Sequence, residues 1–194
     1  MKHHTAGGYR TIVDLAGAGN IILYADSNNN HFTLYKGGPE TLGPTLTLDQ
    51  WYYVAVTQTV GDVMTVYLDA VQQIQVTAVT TAVGALRFGS NTGWGEPGDI
   101  TIAYARAWSS VLSAAQLAAE KDSTTPVVTA GLLADWRLVD GNMLADSSGA
   151  NNPLILTGTV PWAADPTLSG GGGGGGSTSR KAIVAPRGSR LYRS

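Results

Sequence analysis

The segment DVMTVYLD, residues 62–69, alternates with a period of two. Met64, Val66 and Leu68 share one face of an extended chain, and Val63, Thr65 and Tyr67 share the other. Runs of this length, bounded by turn residues, recur along the chain. Residues 9–15 and 20–24 are separated by AGAG, and DSNNN (26–30) precedes His31–Lys36. Asp, Asn and Gly supply the backbone freedom and local hydrogen bonds that such turns need. WYYVAVTQ (51–58) and residues 71–79, 84–89 and 100–108 continue the series, with two further runs near 131–138 and 153–158. Short strands at this spacing predict an antiparallel β-sandwich.

Composition supports this reading and closes other routes. Only 13% of the 194 residues are charged, about half the usual share, while 43% are hydrophobic. Such a chain is too apolar for wholesale disorder and too poor in Glu and Lys for a helical bundle, yet long enough for one sizeable core. Cysteine is absent, which excludes disulfides, thiolate nucleophiles and cysteine-ligated metals. No apolar run approaches the ~18 residues of a membrane-spanning helix, so no membrane insertion is expected. The opening MKHHTAGGYR lacks the apolar stretch of a secretory signal.

One helix interrupts the strands. Ser113 and Gln116 have capping-box spacing, and Leu112 and Leu117 occupy the two hydrophobic-staple positions around them. The spacing predicts a helix over 114–121, ending before Pro126.

The net charge of −2 conceals an asymmetry. Residues 1–176 hold seven basic side chains (Lys2, Arg10, Lys36, Arg87, Arg106, Lys121, Arg137) against all fourteen acids, a charge of −7. Residues 177–194 hold Arg180, Lys181, Arg187, Arg190 and Arg193 and no acid, a charge of +5. Between them, 169–176 is one serine and seven glycines, a flexible linker by composition. The division is therefore a sandwich domain over 1–168, a linker over 169–176 and a basic docking tail over 177–194. Ile183 and Val184, then Leu191 and Tyr192, give the tail two strand-capable segments too short to fold alone. An acidic body repels the polyanion that such a tail would otherwise seek. Docking on an acidic protein surface by strand addition fits better than nucleic acid, with a homo-oligomer or larger assembly as the partner.

The stretch LTLDQWYYVAVTQTVGDVMTVYLDAVQQ resembles the central hairpin of concanavalin A-like, laminin-G-like jelly-roll domains. LRFGSN and ITIAYARAWSSVLSAAQLAA resemble that family's closing strand and short helix, and LLADWRL with ADSSGANNPLILTG resembles its edge segment. The resemblance spans roughly 10–160 and implies an all-β, antiparallel jelly-roll β-sandwich with one short helix, followed here by an extended C-terminal tail. It specifies fold better than function. Three departures stand out. Asp69–Ala70 replaces the family's usual Asn-Gly turn, and Ala70 would cost about 1 kcal/mol at positive φ, so a different turn is expected. Ala103 and Tyr104 stand where some members carry calcium-binding acids, and neither supplies a carboxylate. Met1–Lys2 aligns with the middle of a strand, so the sandwich starts late and an open strand edge is expected.

Jelly-roll glycoside hydrolases use acids spaced along one strand. Glu96 and Asp99 are three apart with Pro97–Gly98 between them, which places them in a turn and not across a sugar. His3 and His4 read as an exposed terminal pair, with no third ligand to make a metal site. No nucleophile elbow or phosphate-binding loop is present, and neither metal nor cofactor is expected. The candidate sugar contacts are Trp94 on a glycine-flanked loop and Asp26, Asn28, Asn29 and Asn30 in the oxygen-rich turn. The candidate docking residues are Arg180, Lys181, Ile183, Val184, Arg187, Arg190, Leu191, Tyr192 and Arg193. The sequence thus predicts a non-catalytic structural or adhesive module of an extracellular fibre or virion surface. A carbohydrate-binding module, free or part of a glycan-active enzyme, is the alternative, with a surface glycan as its partner.

Overall fold

The computed structural model describes residues 1–3, 8–15, 21–26, 30–60, 62–77, 86–90, 98–138 and 144–157, and as backbone strands 162–164, 181–185 and 190–193. After β1 (Lys2–His3), the strands β2 (Arg10–Asp14), β3 (Ile21–Ala25), β4 (His31–Lys36) and β5 (Thr41–Thr45) each pair with the next. A second meander follows in β6 (Val54–Gln58), β7 (Met64–Leu68) and β8 (Val71–Val76). β9 (Arg87–Phe88) returns to β2. β10 (Ile100–Ile102) and β11 (Tyr104–Trp108) are two halves of one stretch broken at Ala103; helix α1 (Ala114–Lys121) follows, and β12 (Leu132–Arg137) pairs back on β11. The last strands are β13 (Leu154–Thr157), β14 (Trp162–Ala164), β15 (Lys181–Ala185) and β16 (Arg190–Arg193).

All of these pairings are antiparallel, and the sheet orders are β13-β16-β9-β2-β3-β4-β5, β6-β7-β8, β1-β10-β15-β14 and β11-β12. The sequence expectation of a mostly-β jelly-roll sandwich with one short helix is met. Its main core lies between two layers. Ile12, Leu23, Phe32 and Leu34 come from the large sheet, and Met64, Val66, Leu68 and Ile74 come from the facing meander. The period-two face of residues 62–69 is thus the buried face. A second apolar cluster joins Ile100, Ile102, Ala134, Trp136, Leu138 and Leu154, and Met1, Leu86 and Phe88 pack against both clusters.

Local chemistry explains most element ends. Ser113 Oγ accepts from Gln116 N while the Gln116 side chain accepts from Ser113 N, so the capping box closes as expected. Leu112 and Leu117 are buried at the staple positions. Strand β5, TLGPT, is not among the runs expected from the sequence, and its Gly43–Pro44 has the composition of a turn. It lies at the end of the large sheet, where a proline's lost N–H is tolerated. Gly43 fits there because a Cβ would come within 2.8 Å of the Phe32 carbonyl. The first residues of 51–58 also differ from expectation: Trp51 forms only an isolated bridge with Lys2, and the strand begins at Val54.

Two further expectations need correction. His3 is not an exposed terminal residue; it is fully buried within β1, because β1 lies between Trp51 and β10. His4 lies outside the described residues. The β7–β8 turn does not depart from the positive-φ form: Asp69 has φ 52° and Ala70 has φ 64°. The right-handed twist of the flanking strands favours this form, and the strain is carried by Ala70. Ala70→Gly is therefore expected to stabilise the chain by about 1 kcal/mol, read from the urea midpoint at unchanged slope.

Candidate functional site

β6 and β11 are the edges of their respective sheets. Among the described residues β6 pairs only with β7, and β11 only with β12. The two edges flank a cavity of about 740 Å³, lined continuously by 51–58 on one side and 102–112 on the other, with Leu117, Lys121 and Asp122 of the helix region at its border. A cleft of this size falls in the range of ligand pockets. Its aromatic lining comes from Trp51, Tyr52, Tyr53, Phe88, Tyr104 and Trp108. Burial raises the Tyr104 hydroxyl above its usual pKa, with the Arg106 charge opposing and Glu120 reinforcing the rise. Burial likewise raises Tyr53, helped by Tyr104 and Glu120. Both phenols therefore remain protonated donors at neutral pH.

The α-amino group of Met1 closes the near end of the cavity. It donates to the Tyr52 carbonyl at 2.6 Å, and Tyr52 N donates to the Met1 carbonyl at 2.7 Å. Burial lowers the amine's pKa from 8.0 to about 5, against the opposing attraction of Asp69. Between these values the unfolded chain binds a proton that the folded chain does not, so stability is expected to rise with pH from about 5 to 8. The check is urea unfolding across that range. The slope should flatten when the amine is acetylated, and an unchanged slope would assign it elsewhere.

Behind β11 lies a buried ionic cluster that the sequence reading missed. Arg106 Nη1 donates to Glu120 Oε2 at 2.6 Å, and its Nε donates to Asp135 Oδ1 at 3.0 Å. Nη2 donates to the Ser123 carbonyl at 3.1 Å. The guanidinium also sits 4.4 Å from the Tyr104 ring centre. Glu120 Oε1 accepts from Val127 N at 2.8 Å and Val128 N at 2.6 Å, while Arg137 Nε reaches Asp135 Oδ2 at 2.6 Å. Asp146 accepts from the backbones of Asp135, Ser148 and Asn152. Partial burial would raise its pKa, but these bonds and the Ser148 hydroxyl hold it below the usual value. A single charge set among the apolar residues of YARAW is the sequence signal for Arg106; its partners lie on separate elements.

These buried acids are committed to arginines and backbone N–H groups. No group of three metal-ligating side chains occurs among the described residues. Asp26 is buried, and its Oδ1 accepts from His31 N at 3.0 Å, so it closes the β3–β4 turn. Asn30 has φ 55°, and its carbonyl accepts from Leu46 N at 2.8 Å. Asn28, Asn29, Trp94 and Glu96 lie outside the described residues, as do Arg180 and Arg187. Asp99 is half-buried before β10. The tail positions Lys181, Ile183 and Val184 fall in β15, and Arg190, Leu191, Tyr192 and Arg193 fall in β16. β15 pairs with β10 and β14, and β16 lies between β13 and β9.

A layered antiparallel jelly roll with an aromatic-lined cleft at its strand edges defines a lectin-like β-sandwich module. Residues 1–118 match the Laminin_G_3 model, described as the concanavalin A-like lectin/glucanases superfamily, and the chain belongs to that family. No curated protein and no solved structure matches it.

Proposed function

We propose that the chain is a non-catalytic structural or adhesive module, carried on an extracellular fibre or virion surface and held to neighbouring subunits through its C-terminal tail. The observation behind this reading is that the two tail strands enter different sheets of the sandwich, β15 against β10 and β16 against β9. Strand addition of this kind gives register through main-chain bonds. A linker of seven glycines spans roughly 20–25 Å when extended, so the same seats are within reach of a neighbouring copy's tail. Exchange of identical elements between copies is a low-cost route to assembly. The +5 tail and the −7 body attract one another in either arrangement.

The test compares the full chain with one lacking 177–194 by light scattering over a concentration series. A separate experiment adds a labelled 177–194 peptide to the truncated chain and follows anisotropy. Assembly is expected to disappear on truncation, and the peptide is expected to bind. A truncated chain that assembles like the full one would refute the tail's role. The aromatic lining of the cavity favours a second reading, carbohydrate binding, which a glycan array with the full chain checks directly.

A further inference from the structure

The last four strands run antiparallel to one another through two sheets. β13 pairs with β16 from Leu154↔Arg193 to Thr157↔Arg190, and β14 pairs with β15 from Trp162↔Ile183 to Ala164↔Lys181. The tail strands are the inner ones, because β16 also pairs with β9 and β15 with β10. β13 and β14 are the outer strands, each at an end of its sheet among the described residues. Residues 165–180, which include the seven glycines, connect β14 to β15, so these two strands are the arms of one hairpin.

The two outer strands are held differently. β13 has its own grip on the body: Leu154 is buried in the second core, and its N donates to the Leu144 carbonyl at 2.7 Å. β14 pairs only with β15 among the described residues. Lifting out β15 alone therefore breaks two ladders, to β10 and to β14, and takes from β14 its one partner strand. Lifting out β14 and β15 together breaks only the ladder to β10. Each ladder kept intact spares the exposure of its main-chain donors and acceptors, so the hairpin leaves more easily than the single strand. Arrival favours the same unit. A lone tail must thread between β10 and β14 of the receiving copy, whereas a hairpin adds to β10 along one edge. β10 is a fixed acceptor, since Ile100 and Ile102 belong to the second core and β1 holds its other side.

We propose that the element passed between copies is the β14–β15 hairpin, with β16 following it, and that its acceptor is β10 of a second copy while β13 stays with its own body. This rests on the tail-mediated assembly proposed above and names the unit and the acceptor strand. The glycines then travel inside the exchanged element. The chain crosses from one body to the other through GTVP, residues 158–161, between the anchored β13 and the departing β14. Every ladder of the single copy is re-formed in the exchanged pair, which is the condition for exchange at low cost.

The chain has no cysteine, so engineered pairs report these contacts without background. Directly opposed residues of antiparallel strands have Cα atoms about 4.5–5.5 Å apart, within disulfide range. Ala163→Cys with Ala182→Cys reports β14 on β15, and Thr101→Cys with Val184→Cys reports β15 on β10. Ile100→Cys with Ala185→Cys repeats the second report one residue away. The assembled fraction of each full-length variant is isolated by size exclusion, oxidised and run on a non-reducing gel. The monomer band is expected to persist for the β14–β15 pair and to be lost to covalent multimers for both β10–β15 pairs. Multimers from the β14–β15 pair would overturn the proposal, because the tail would then exchange alone. Monomer bands from all three pairs would overturn exchange in either form. Absence of any assembled fraction from the unsubstituted chain would instead refute the tail-mediated assembly on which the proposal rests. Deleting Gly170–Gly176 gives an independent measure, since it shortens the reach of a lone tail by roughly 20–25 Å but leaves 165–169 and 177–180 to close the hairpin. Assembly is expected at an unchanged concentration midpoint, and a rise of ~10-fold or more would overturn the proposal.

Discussion

Replacing Arg106 with methionine is expected to destabilise the chain by about 3–5 kcal/mol, the cost of leaving buried carboxylates without their partner. The Arg106 side chain is 3% exposed, and those of Glu120 and Asp135 are 0% exposed. The loss is uneven between the two acids. Asp135 keeps Arg137 at 2.6 Å, whereas Glu120 keeps only the N–H groups of Val127 and Val128. Adding Glu120→Gln to the methionine variant removes the uncompensated charge and preserves an oxygen acceptor for those two amides. The double variant is therefore expected to recover part of the stability lost, so that the two changes are strongly non-additive. Urea unfolding of the four chains in this cycle measures it. A loss below about 1 kcal/mol in Arg106→Met would show that solvent reaches the cluster.

The cluster also bears on the cavity. Arg106 ties β11 to the last turn of α1 and to the segment after it, and Arg106, Lys121 and Asp122 all line the cleft. Loosening the arginine should free the helix side of the cleft before the core between β7 and β3 gives way. Local opening of this kind is visible by amide exchange as a difference between elements.

What the sequence disclosed followed from local chemistry. Alternation in 62–69 is a property of eight neighbouring residues, and it identified β7 and its buried face. Ser113 and Gln116 satisfy each other within one helical turn, so the helix start was readable from four residues. Features that depend on distant partners were not readable. Arg106, Glu120 and Asp135 lie on β11, α1 and β12, and only the pairing of Arg106 opposite Asp135 brings two of them together. β5 hides behind Gly43–Pro44, whose turn-like chemistry is overruled by its position at a sheet end. His3 looked like a terminal ornament because its burial is imposed by Trp51 and β10, about fifty and one hundred residues away. That β6 and β11 each have one strand partner among the described residues depends on pairing across the chain, and it was not readable either. For the tail, residue type showed two strand-capable segments, and the sheets show which strands they pair with.

Trp136→Ala is expected to cost about 3–5 kcal/mol, and its effect should spread unevenly through the sandwich. The indole is 1% exposed and lies edge-on to Phe88, with ring centres 6.3 Å apart and planes at 73°. Its Nε1 donates to the Asn152 carbonyl at 2.6 Å, which fixes the approach to β13. Truncation therefore opens a large cavity in the second core, removes an aromatic pair worth about 0.5–1.5 kcal/mol and breaks a buried hydrogen bond. Trp136→Phe keeps a ring against Phe88 and loses the N–H, so it should fall between the wild type and the alanine variant. Phe88 belongs to β9, which faces Leu191 of β16 in the sheet, and β16 in turn pairs with β13. Trp136 thus supports, from beneath, the strands between which the tail is seated. Amides of β13 and β16 should exchange faster in Trp136→Ala by a larger factor than those of β7, whose packing on Phe32 and Leu34 belongs to the other core. Uniform acceleration across all strands would instead mean that the two cores unfold as one unit, and that the tail's seat has no separate stability for an exchanging neighbour to exploit.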